Sequence, residues 1–365
     1  MIYTIISTYP EEGSKNIGDG LITATTIDAI KTVKGENNDI QIVWRGARWE
    51  EVKEKILKSD AIIFACLAIR KNMEIYTYPY FEQLLNTNIP LGVIASGTAV
   101  DIFNNDKNIF TDFPKTSLEY LKKLNDNALF FTTRGYLTQS FCRYHQLDKV
   151  TFSGDIAFFD NRFSNRIFKP VNNIKTIAIS DPHKSSIYLK SVDKLVRGLG
   201  KLYPKAKLIF MLHGLNAELE KYCKKENLTV KKIYLDKDNG LDTYDDIDLH
   251  VGYRVHAHVS SLKRRIPSYL LEQDGRGCDY GLTINKKISV ANYTYYKIPI
   301  TIKNLLRHLL DKEFEKNFFV SVNPVNQLLA LIEEDRNSNF SKFLNLEDQI
   351  LDFNKLCIQA LKKLP

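Results

Sequence analysis

The sequence predicts an α/β protein with two consecutive, similar halves, each containing a parallel β-sheet covered by helices. Short apolar runs alternate with helical stretches along most of the 365 residues, a pattern typical of parallel sheets. A polar segment without periodicity, residues 160–175, interrupts this alternation, and the pattern then starts again. The length also exceeds the roughly 250–300 residues that one hydrophobic core supports. We therefore expect two Rossmann-like domains with a ligand-binding cleft between them.

The first half alternates strands with helices from its first residues. Each predicted strand is a short apolar run, and two of these runs are introduced by turn-forming residues, Ser59-Asp60 and Pro90. The predicted helix 49–58 carries its charges on its outer face. The strands are predicted at 2–7, 40–44, 61–66, 91–95, 128–132 and 150–153. The helices are predicted at 20–34, 49–58, 80–86, 117–124 and 135–145.

The second half repeats this alternation and is followed by a tail of different character. Its strands are predicted at 176–180, 207–212, 229–234, 249–252 and 268–272. Its helices are predicted at 187–203, 217–226 and 256–263, with a loop and helix around 244–246. Beyond Pro299, amphipathic helices are predicted at 305–310, 327–332 and 350–364. We expect domains at 1–165 and 166–300 and a helical tail at 301–365.

Composition narrows the function classes. The net charge of +8 suits anionic partners, but the lysines are dispersed and no nucleic-acid motif is present, so no nucleic-acid partner is expected. The same charge is compatible with attraction to anionic lipid headgroups. No apolar run approaches the roughly 20 residues that span a bilayer, and the N-terminus lacks signal-peptide features. We expect a cytoplasmic protein, with peripheral association at the inner face of the membrane as an option.

Cysteine and histidine patterns favour neither disulfides nor a metal. The five cysteines are odd in number, scattered and without a CxxC pair. Potential ligands crowd into one stretch, yet their spacing matches no HExxH-like motif. This stretch contains His250, His256, His258, Asp274 and Cys278. We therefore expect neither a bound metal nor a cofactor.

The segment NIGDG, residues 16–20, lies between the first strand and the first helix. Its glycines permit close approach of a ligand, and a helix N-terminus offers unpaired N–H groups to an anion or a sugar hydroxyl. Asn16 and Asp19 are therefore candidate substrate-binding residues. The alternative interpretation is a simple helix entry capped by Asp19.

The segment LHVGYRVHAH places Arg254 and His256 where a predicted strand meets a helix. Ligands of open α/β sheets bind at the carboxyl ends of strands. A guanidinium suits carboxylate or phosphate, and an imidazole can move a proton near neutral pH. The alternatives are a salt bridge from Arg254 to a residue such as Asp248, and a histidine bonded to backbone at a helix start.

Two further arginines could contribute to an anion site. Arg134, in FFTTRGYLTQSF, also follows a predicted strand and precedes a helix, so it mirrors Arg254 in the other half; the alternative is a solvated arginine. Arg276 lies in DGRG, residues 274–277, where Asp274 could cap the next segment. The alternative for DGRG is a tight turn.

Together these segments resemble the polysaccharide pyruvyl transferase family. NIGDG, SDAIIF, IPLGVIASGT, TTRGYLTQSF and DKVTFSGDIAFF follow in the family's order over about residues 1–300, and HVGYRVHAHVSSLKRRIP matches best. The family usually has Arg-Leu-His where this chain has Arg254-Val255-His256. It also often carries a glycine cluster where Ala65-Cys66-Leu67 stands here. The QDGRGCDYG segment is more elaborate than the family pattern, and the helical tail has no counterpart in it.

The resemblance implies a fold like the two-Rossmann glycosyltransferases (GT-B), with the acceptor on the first domain and the donor on the second. The donor would be phosphoenolpyruvate, and the product a pyruvate ketal on a sugar of a capsule, an exopolysaccharide or its lipid-linked precursor. Arg134 and Arg254 would hold the donor's anionic groups. His256 would be phosphate ligand or general acid, and Asp155 would steer a hydroxyl, unless it is only a turn residue after Gly154.

Two other functions fit the same residues. A glycosyltransferase of similar fold could bind the diphosphate of a nucleotide-activated sugar with the strand-end arginine and histidine, although no nucleotide fingerprint is present. A non-catalytic binding protein on an enzyme fold would account for the missing glycine cluster.

Overall fold

The computed structural model describes residues 1–9, 16–98, 102, 110–296 and 318–365. The first half is a parallel sheet with the strand order β2-β1-β3-β5-β6-β7, in which β4 also pairs with β5. Its strands are β1 (Ile2–Ser7), β2 (Asp39–Trp44), β3 (Ala61–Ala65), β4 (Ala68–Ile69), β5 (Leu91–Thr98), β6 (Phe130–Thr133) and β7 (Thr151–Phe152). Its helices are α1 (Ile17–Lys34), α2 (Trp49–Leu57), α3 (Met73–Tyr76), α4 (Phe81–Leu85), α5 (Lys115–Asn127) and α6 (Tyr136–Tyr144).

The second half is a parallel sheet with the order β10-β9-β8-β11-β12-β13. Counted along the chain, this is the 3-2-1-4-5-6 order of a Rossmann domain. Its strands are β8 (Thr176–Ser180), β9 (Lys207–Met211), β10 (Thr229–Lys231), β11 (Leu249–Gly252), β12 (Ser268–Glu272) and β13 (Ser289–Ala291). Its helices are α7 (Ser185–Leu202), α8 (Ala217–Lys225), α9 (Val255–Lys263) and α10 (Gly275–Thr283). The two predicted parallel sheets are thus confirmed.

Some predicted boundaries are wrong in informative ways. Helix α1 begins at Ile17 instead of residue 20, because the Asn16 side chain caps it by accepting the Gly18 N–H at 3.3 Å. The strand predicted at 229–234 ends at Lys231, and a separate 3₁₀ turn, Ile233–Leu235, follows it. DGRG is not a tight turn, since α10 starts at Gly275.

The C-terminal helices return to both halves of the molecule. A short antiparallel pair, β14 (Thr294–Tyr296) and β15 (Phe318–Val320), precedes α11 (Asn323–Asn337) and α12 (Leu346–Leu361). Helix α11 joins the second half, where the Tyr269 hydroxyl donates to Asp335 at 2.5 Å. Helix α12 crosses to the first half, where the Cys357 thiol lies 3.8 Å from the Ser153 carbonyl oxygen. The helix predicted at 305–310 lies outside the described residues, and the proposed domain limits remain predictions.

One buried apolar cluster runs through both halves. It includes Ile5 and Ile63 of the first sheet together with Ile177 and Val251 of the second, and the α12 residue Phe353. A second cluster lies on the other face of the first sheet alone. Because a close-packed interior transmits strain and resists deformation, the shared core fixes how the two sheets sit against each other.

Candidate functional site

Helix α1 follows the carboxyl end of β1 and helix α9 follows the carboxyl end of β11, and the two helices contact each other. Gly18, in the first turn of α1, lies directly against the imidazole of His256, and a β-carbon at this position would overlap the ring. The neighbouring Ile17 N–H donates to the carbonyl of His213, just beyond β9, at 3.2 Å. The NIGDG and RVH segments therefore form one site, as expected for ligands of open α/β sheets.

Arg254 is fixed by a buried carboxylate at the end of the neighbouring strand. Its Nε and Nη2 donate to the two oxygens of Asp181 at 3.1 and 2.5 Å. Burial would raise the pKa of Asp181, but the Arg254 charge outweighs it and the pKa is lowered. A guanidinium has five N–H donors, so three remain for a ligand. The Arg254 side chain is 14% exposed, so it is not fully enclosed by protein.

Asp248, considered above as a partner of Arg254, is not its partner. Its carboxylate accepts from the backbone N–H groups of Lys175 and Thr176 at 2.8 and 2.9 Å. The reason is direction along the strand: Asp248 precedes β11 and lies at the amino edge of the sheet, whereas Arg254 follows β11 at the carboxyl edge.

His256 presents a neutral imidazole with an open nitrogen. Burial, followed by the charges of Arg134 and Arg276, places the pKa of His256 well below its usual value. Its Nε2 is buried and, within the described part of the chain, has no hydrogen-bond partner. Near neutral pH the ring is therefore a proton acceptor in the free protein. A bound anion would offset the surrounding positive charge and raise the pKa of His256.

Arg134 is enclosed between the halves. Its Nε lies 3.6 Å from an oxygen of Asp279 on α10, and its Nη1 lies 3.7 Å from the Cys66 sulfur. Burial lowers the pKa of Arg134, but Cys66, Asp155 and Asp279 raise it overall, so the guanidinium stays charged. Its Nε has no hydrogen-bond partner among the described residues. The same Asp279 carboxylate accepts the Thr138 N–H at 3.0 Å and so caps α6 from the opposite half.

The expected mirror relation between Arg134 and Arg254 is wrong. Arg254 follows β11, which lies next to the first strand of its sheet, β8, whereas Arg134 follows β6, three strands away from β1. The topological counterpart of Arg254 is Cys66, after β3, where the family's glycines would stand. Its φ of 59° is in the left-handed region that glycine adopts without strain. Arg134 still reaches the site because its side chain extends back toward Cys66.

Asp155 is almost fully buried, and both of its oxygens are engaged. One accepts the Ala157 N–H at 2.8 Å and caps a 3₁₀ turn, Ile156–Phe158; the other accepts the Tyr280 hydroxyl at 2.5 Å. Its charge acts on the guanidinium of Arg134. In this arrangement Asp155 holds Tyr280 and balances Arg134, and its role in steering a hydroxyl remains a prediction.

Asp19 and Arg276 meet on the α1 side of the site. Asp19 is not the cap of α1, because it lies inside the first turn that Asn16 caps. Burial raises the pKa of Asp19, and the charges of Arg45, Arg276 and Arg70 partly offset this. Arg276 pairs with Asp274, whose side chain also accepts the Arg276 N–H at 3.0 Å and so caps α10.

Four residues of this site were missed in the sequence: Arg45, Arg70, Asp181 and His213. Each follows the end of a strand. The strand-end rule that singled out Arg254 could have found Arg45, Asp181 and His213, whereas β4, which precedes Arg70, was not predicted. The Asp181 carboxylate accepts the His213 N–H at 3.1 Å, and His213 Nε2 lies 2.8 Å from the Tyr244 hydroxyl. Burial lowers the pKa of His213 to about 3. It is a second neutral imidazole beside the Arg254 pair.

The described residues contain no group of three or more His, Cys, Asp or Glu side chains arranged to hold a metal ion. Among them, no helix has both the length and the apolar character needed to cross a membrane. The other crowded histidines have partners of their own, since His250 and His258 both lie 2.7 Å from the Ser268 hydroxyl.

Two Rossmann-like parallel sheets, with arginines and a neutral imidazole beyond their carboxyl ends, form an α/β protein with a site suited to an anionic ligand. The family model "Polysaccharide pyruvyl transferase" matches residues 16–275, more than half of the chain and nearly the whole site. The chain therefore belongs to the polysaccharide pyruvyl transferase family and is a transferase. A search of curated protein sequences found no match.

Three solved structures of low sequence identity align with most of this chain. The UDP-GlcNAc 2-epimerase of Neisseria meningitidis bound to UDP-GlcNAc is 12% identical, with a TM-score of 0.45 over 92% of this chain and 99% of that one. The Staphylococcus aureus MnaA–UDP structure is 12% identical, with a TM-score of 0.46 over 96% and 94%. The wall teichoic acid polymerase TagF is 11% identical, with a TM-score of 0.46 over 99% and 88%.

Proposed function

We propose that this enzyme transfers the pyruvyl group of phosphoenolpyruvate to two hydroxyls of one sugar, forming a ketal and releasing phosphate. Family membership supports the pyruvyl transfer. The observation that carries the choice of donor is the buried, unpartnered Nε2 of His256, placed among the charges of Arg134, Arg254 and Arg276. A small trianionic donor would bind the open N–H groups of Arg254 and offset the positive charge that lowers the pKa of His256.

Arg254 and Arg134 would bind the carboxylate and the phosphate of the donor. The three open donors of Arg254 can bind a carboxylate or phosphate while Asp181 keeps the guanidinium oriented. Arg134 adds a second cation, and its Nε has no hydrogen-bond partner among the described residues. Fixed cations of this kind favour an anion without reorganisation at the moment of reaction.

In this proposal His256 transfers the proton that the donor's methylene carbon receives. Protonation of the methylene carbon gives an oxocarbenium-like centre at C2, and one sugar hydroxyl attacks C2 and releases a proton that replaces the one spent. A second hydroxyl then attacks C2, the bond from C2 to the phosphate oxygen breaks, and the proton of this hydroxyl leaves with the phosphate. His256 is neutral in the free protein, and the bound donor raises its pKa, so it first takes a proton and then delivers it. Asp155 and Tyr280 would position Arg134 during these steps.

The acceptor we propose is a sugar of a cell-surface polysaccharide or of its lipid-linked precursor. A lipid-carried acceptor would place the reaction at the cytoplasmic face of a membrane. The net charge of +8 is of the sign that anionic lipid headgroups attract.

Thermal unfolding with phosphoenolpyruvate tests the donor. A ligand that binds only the native state stabilises it by about 2.7 kcal/mol at a concentration 100 times its Kd. We expect this stabilisation in the native protein and its loss in Arg254→Ala. The control is Arg197→Ala, which removes an exposed guanidinium paired with Asp193 on α7. His256→Asn should keep donor binding and lose phosphate release in the presence of sugar acceptors.

Two results of these binding measurements would contradict the proposal. Stabilisation by UDP-sugars without any effect of saturating phosphoenolpyruvate would refute the proposed donor and favour a glycosyltransferase. Equal losses of donor binding in Arg254→Ala and Arg197→Ala would remove Arg254 from the site.

A further inference from the structure

The Arg134 guanidinium lies in a slot whose walls come from both halves of the molecule. A β-carbon at Gly97, near the end of β5, would overlap the Nε and Cζ atoms of Arg134, so the guanidinium lies directly against the backbone there. The sulfur of Cys66, after β3, is 3.7 Å from Nη1. From the second half, an oxygen of Asp279 on α10 is 3.6 Å from Nε. We call Gly97, Cys66 and Asp279 the arginine slot.

The Asp279 wall of the slot is held in place by α6. One carboxylate oxygen accepts the Thr138 N–H at 3.0 Å, and the other accepts the Thr138 hydroxyl at 2.5 Å. One turn further along α10, the Thr283 hydroxyl accepts the Tyr136 N–H at 2.9 Å. Both N–H groups belong to the first turn of α6, directly after the turn that carries Arg134. The carboxylate is therefore fixed by hydrogen bonds that do not involve the guanidinium.

The contact between Asp279 and Arg134 orients the guanidinium without occupying its donors. At 3.6 Å the two groups form an ion pair but not a hydrogen bond. Their side chains are 0% and 4% exposed, so salt and water screen the attraction little. Among the described residues, Nε of Arg134 has no hydrogen-bond partner and Nη1 has only Cys66. Buried donors left open in this way favour a ligand that accepts hydrogen bonds.

We propose that Asp279 and Gly97 are positioning residues for Arg134, which hold its guanidinium at the angle at which it binds the donor. This inference rests on the proposed function, in which Arg134 binds an anionic group of phosphoenolpyruvate. A guanidinium binds carboxylate or phosphate through a planar fork, so its angle decides how many N–H groups reach the ligand. Because Asp279 belongs to the second half, packing of the two halves sets the orientation of a donor-binding cation of the first.

Two substitutions disturb the arginine slot in different ways. Asp279→Asn keeps an oxygen to accept the Thr138 N–H and removes the negative charge beside Arg134. Gly97→Ala places a methyl group where the guanidinium lies, and the guanidinium can move aside because it ends a flexible side chain. We expect calorimetric titration to show phosphoenolpyruvate affinity about tenfold lower in each variant, the size of one lost charge-assisted hydrogen bond.

Each variant has a matched control. Thr283→Val removes the other α10 acceptor at the start of α6 and leaves the Asp279 carboxylate in place. Gly92→Ala lies in the same strand as Gly97, but its methyl group would overlap the Phe130 ring instead. Both controls should lower the stability measured by urea titration and keep phosphoenolpyruvate affinity within about twofold of the native value.

A double substitution separates positioning from general destabilisation. In an Arg134→Gln background, neither Asp279→Asn nor Gly97→Ala should lower the remaining phosphoenolpyruvate affinity further, because both act through the guanidinium. A purely electrostatic role of Asp279 predicts the opposite sign, since removal of a negative charge near the site strengthens anion binding.

Unchanged or higher phosphoenolpyruvate affinity in Asp279→Asn and Gly97→Ala, or equal losses in the two controls, would overturn the positioning role and leave the proposed function standing. Native protein that binds inorganic phosphate but not phosphoenolpyruvate would refute the proposed donor. The same set of variants titrated with phosphate would then decide the role of the arginine slot. Native protein that binds neither anion would overturn both proposals.

Discussion

Alanine at position 18 would place a methyl group where the imidazole of His256 lies, and this makes Gly18→Ala a direct test of how the two halves meet. The overlap involves the ring and also the His256 β-carbon, which cannot move without the backbone of α9. Overpacking of this kind costs about 1–3 kcal/mol. Alanine also gains about 1 kcal/mol over glycine in a helix, so the net destabilisation should lie between about zero and 2 kcal/mol.

Gly20→Ala provides the matched control. Gly20 lies in the same helix, and its β-carbon would meet the Tyr9 ring at 3.7 Å, an ordinary contact. This variant should therefore be as stable as the native protein or up to about 1 kcal/mol more stable. The difference between the two variants isolates the clash, about 1–3 kcal/mol. Urea titration measures it as a shift in the midpoint at constant slope.

A double substitution links the effect to His256. In a His256→Ala background the ring is gone and only the β-carbon remains, so adding Gly18→Ala should cost less than it does alone. The same free energy of unfolding for Gly18→Ala and Gly20→Ala would refute this juxtaposition of the halves. It would also remove the geometric basis for placing NIGDG at the site.

Two further predictions concern buried charge. Burial lowers the pKa of His213 and His258 to about 3, so the folded state binds fewer protons than the unfolded state below pH 6.5. Acidification from pH 7.5 to 5.5 should then cost about 1.4 kcal/mol for each ring, about 3 kcal/mol together; urea titrations showing equal stability at both pH values would contradict this. Asp279→Asn keeps an oxygen to cap α6 but removes a buried counter-ion of Arg134, and should destabilise by about 3 kcal/mol. Asp112→Asn, which breaks an exposed pair, should cost less than 1 kcal/mol by the same titration, and similar losses in both would refute a buried pair.

The proposed chemistry depends on a buried, neutral histidine beside several arginines, and perturbed groups of this kind are common at active sites. A ligand-induced rise in the pKa of His256 connects binding to proton transfer, because the anion that fills the pocket also creates the proton donor.

Local patterns in the sequence were sufficient for the two sheets and for the turn that carries Arg254 and His256. Strand β11 and the start of α9 are fixed by a short apolar run, a glycine and a polar helix start, all within a dozen residues. The family resemblance also rested on such contiguous segments. Secondary structure and strand-end positions are local properties, so a single chain read in order reveals them.

Contacts between distant segments were decided only by the tertiary structure. Asp181 lies 73 residues from Arg254, and Gly18 meets His256 from the other half of the chain. The pairing of Arg134 with Asp279 also crosses between the halves. Strand order brings such residues together, and it follows from packing both sheets on a shared core and not from any local pattern.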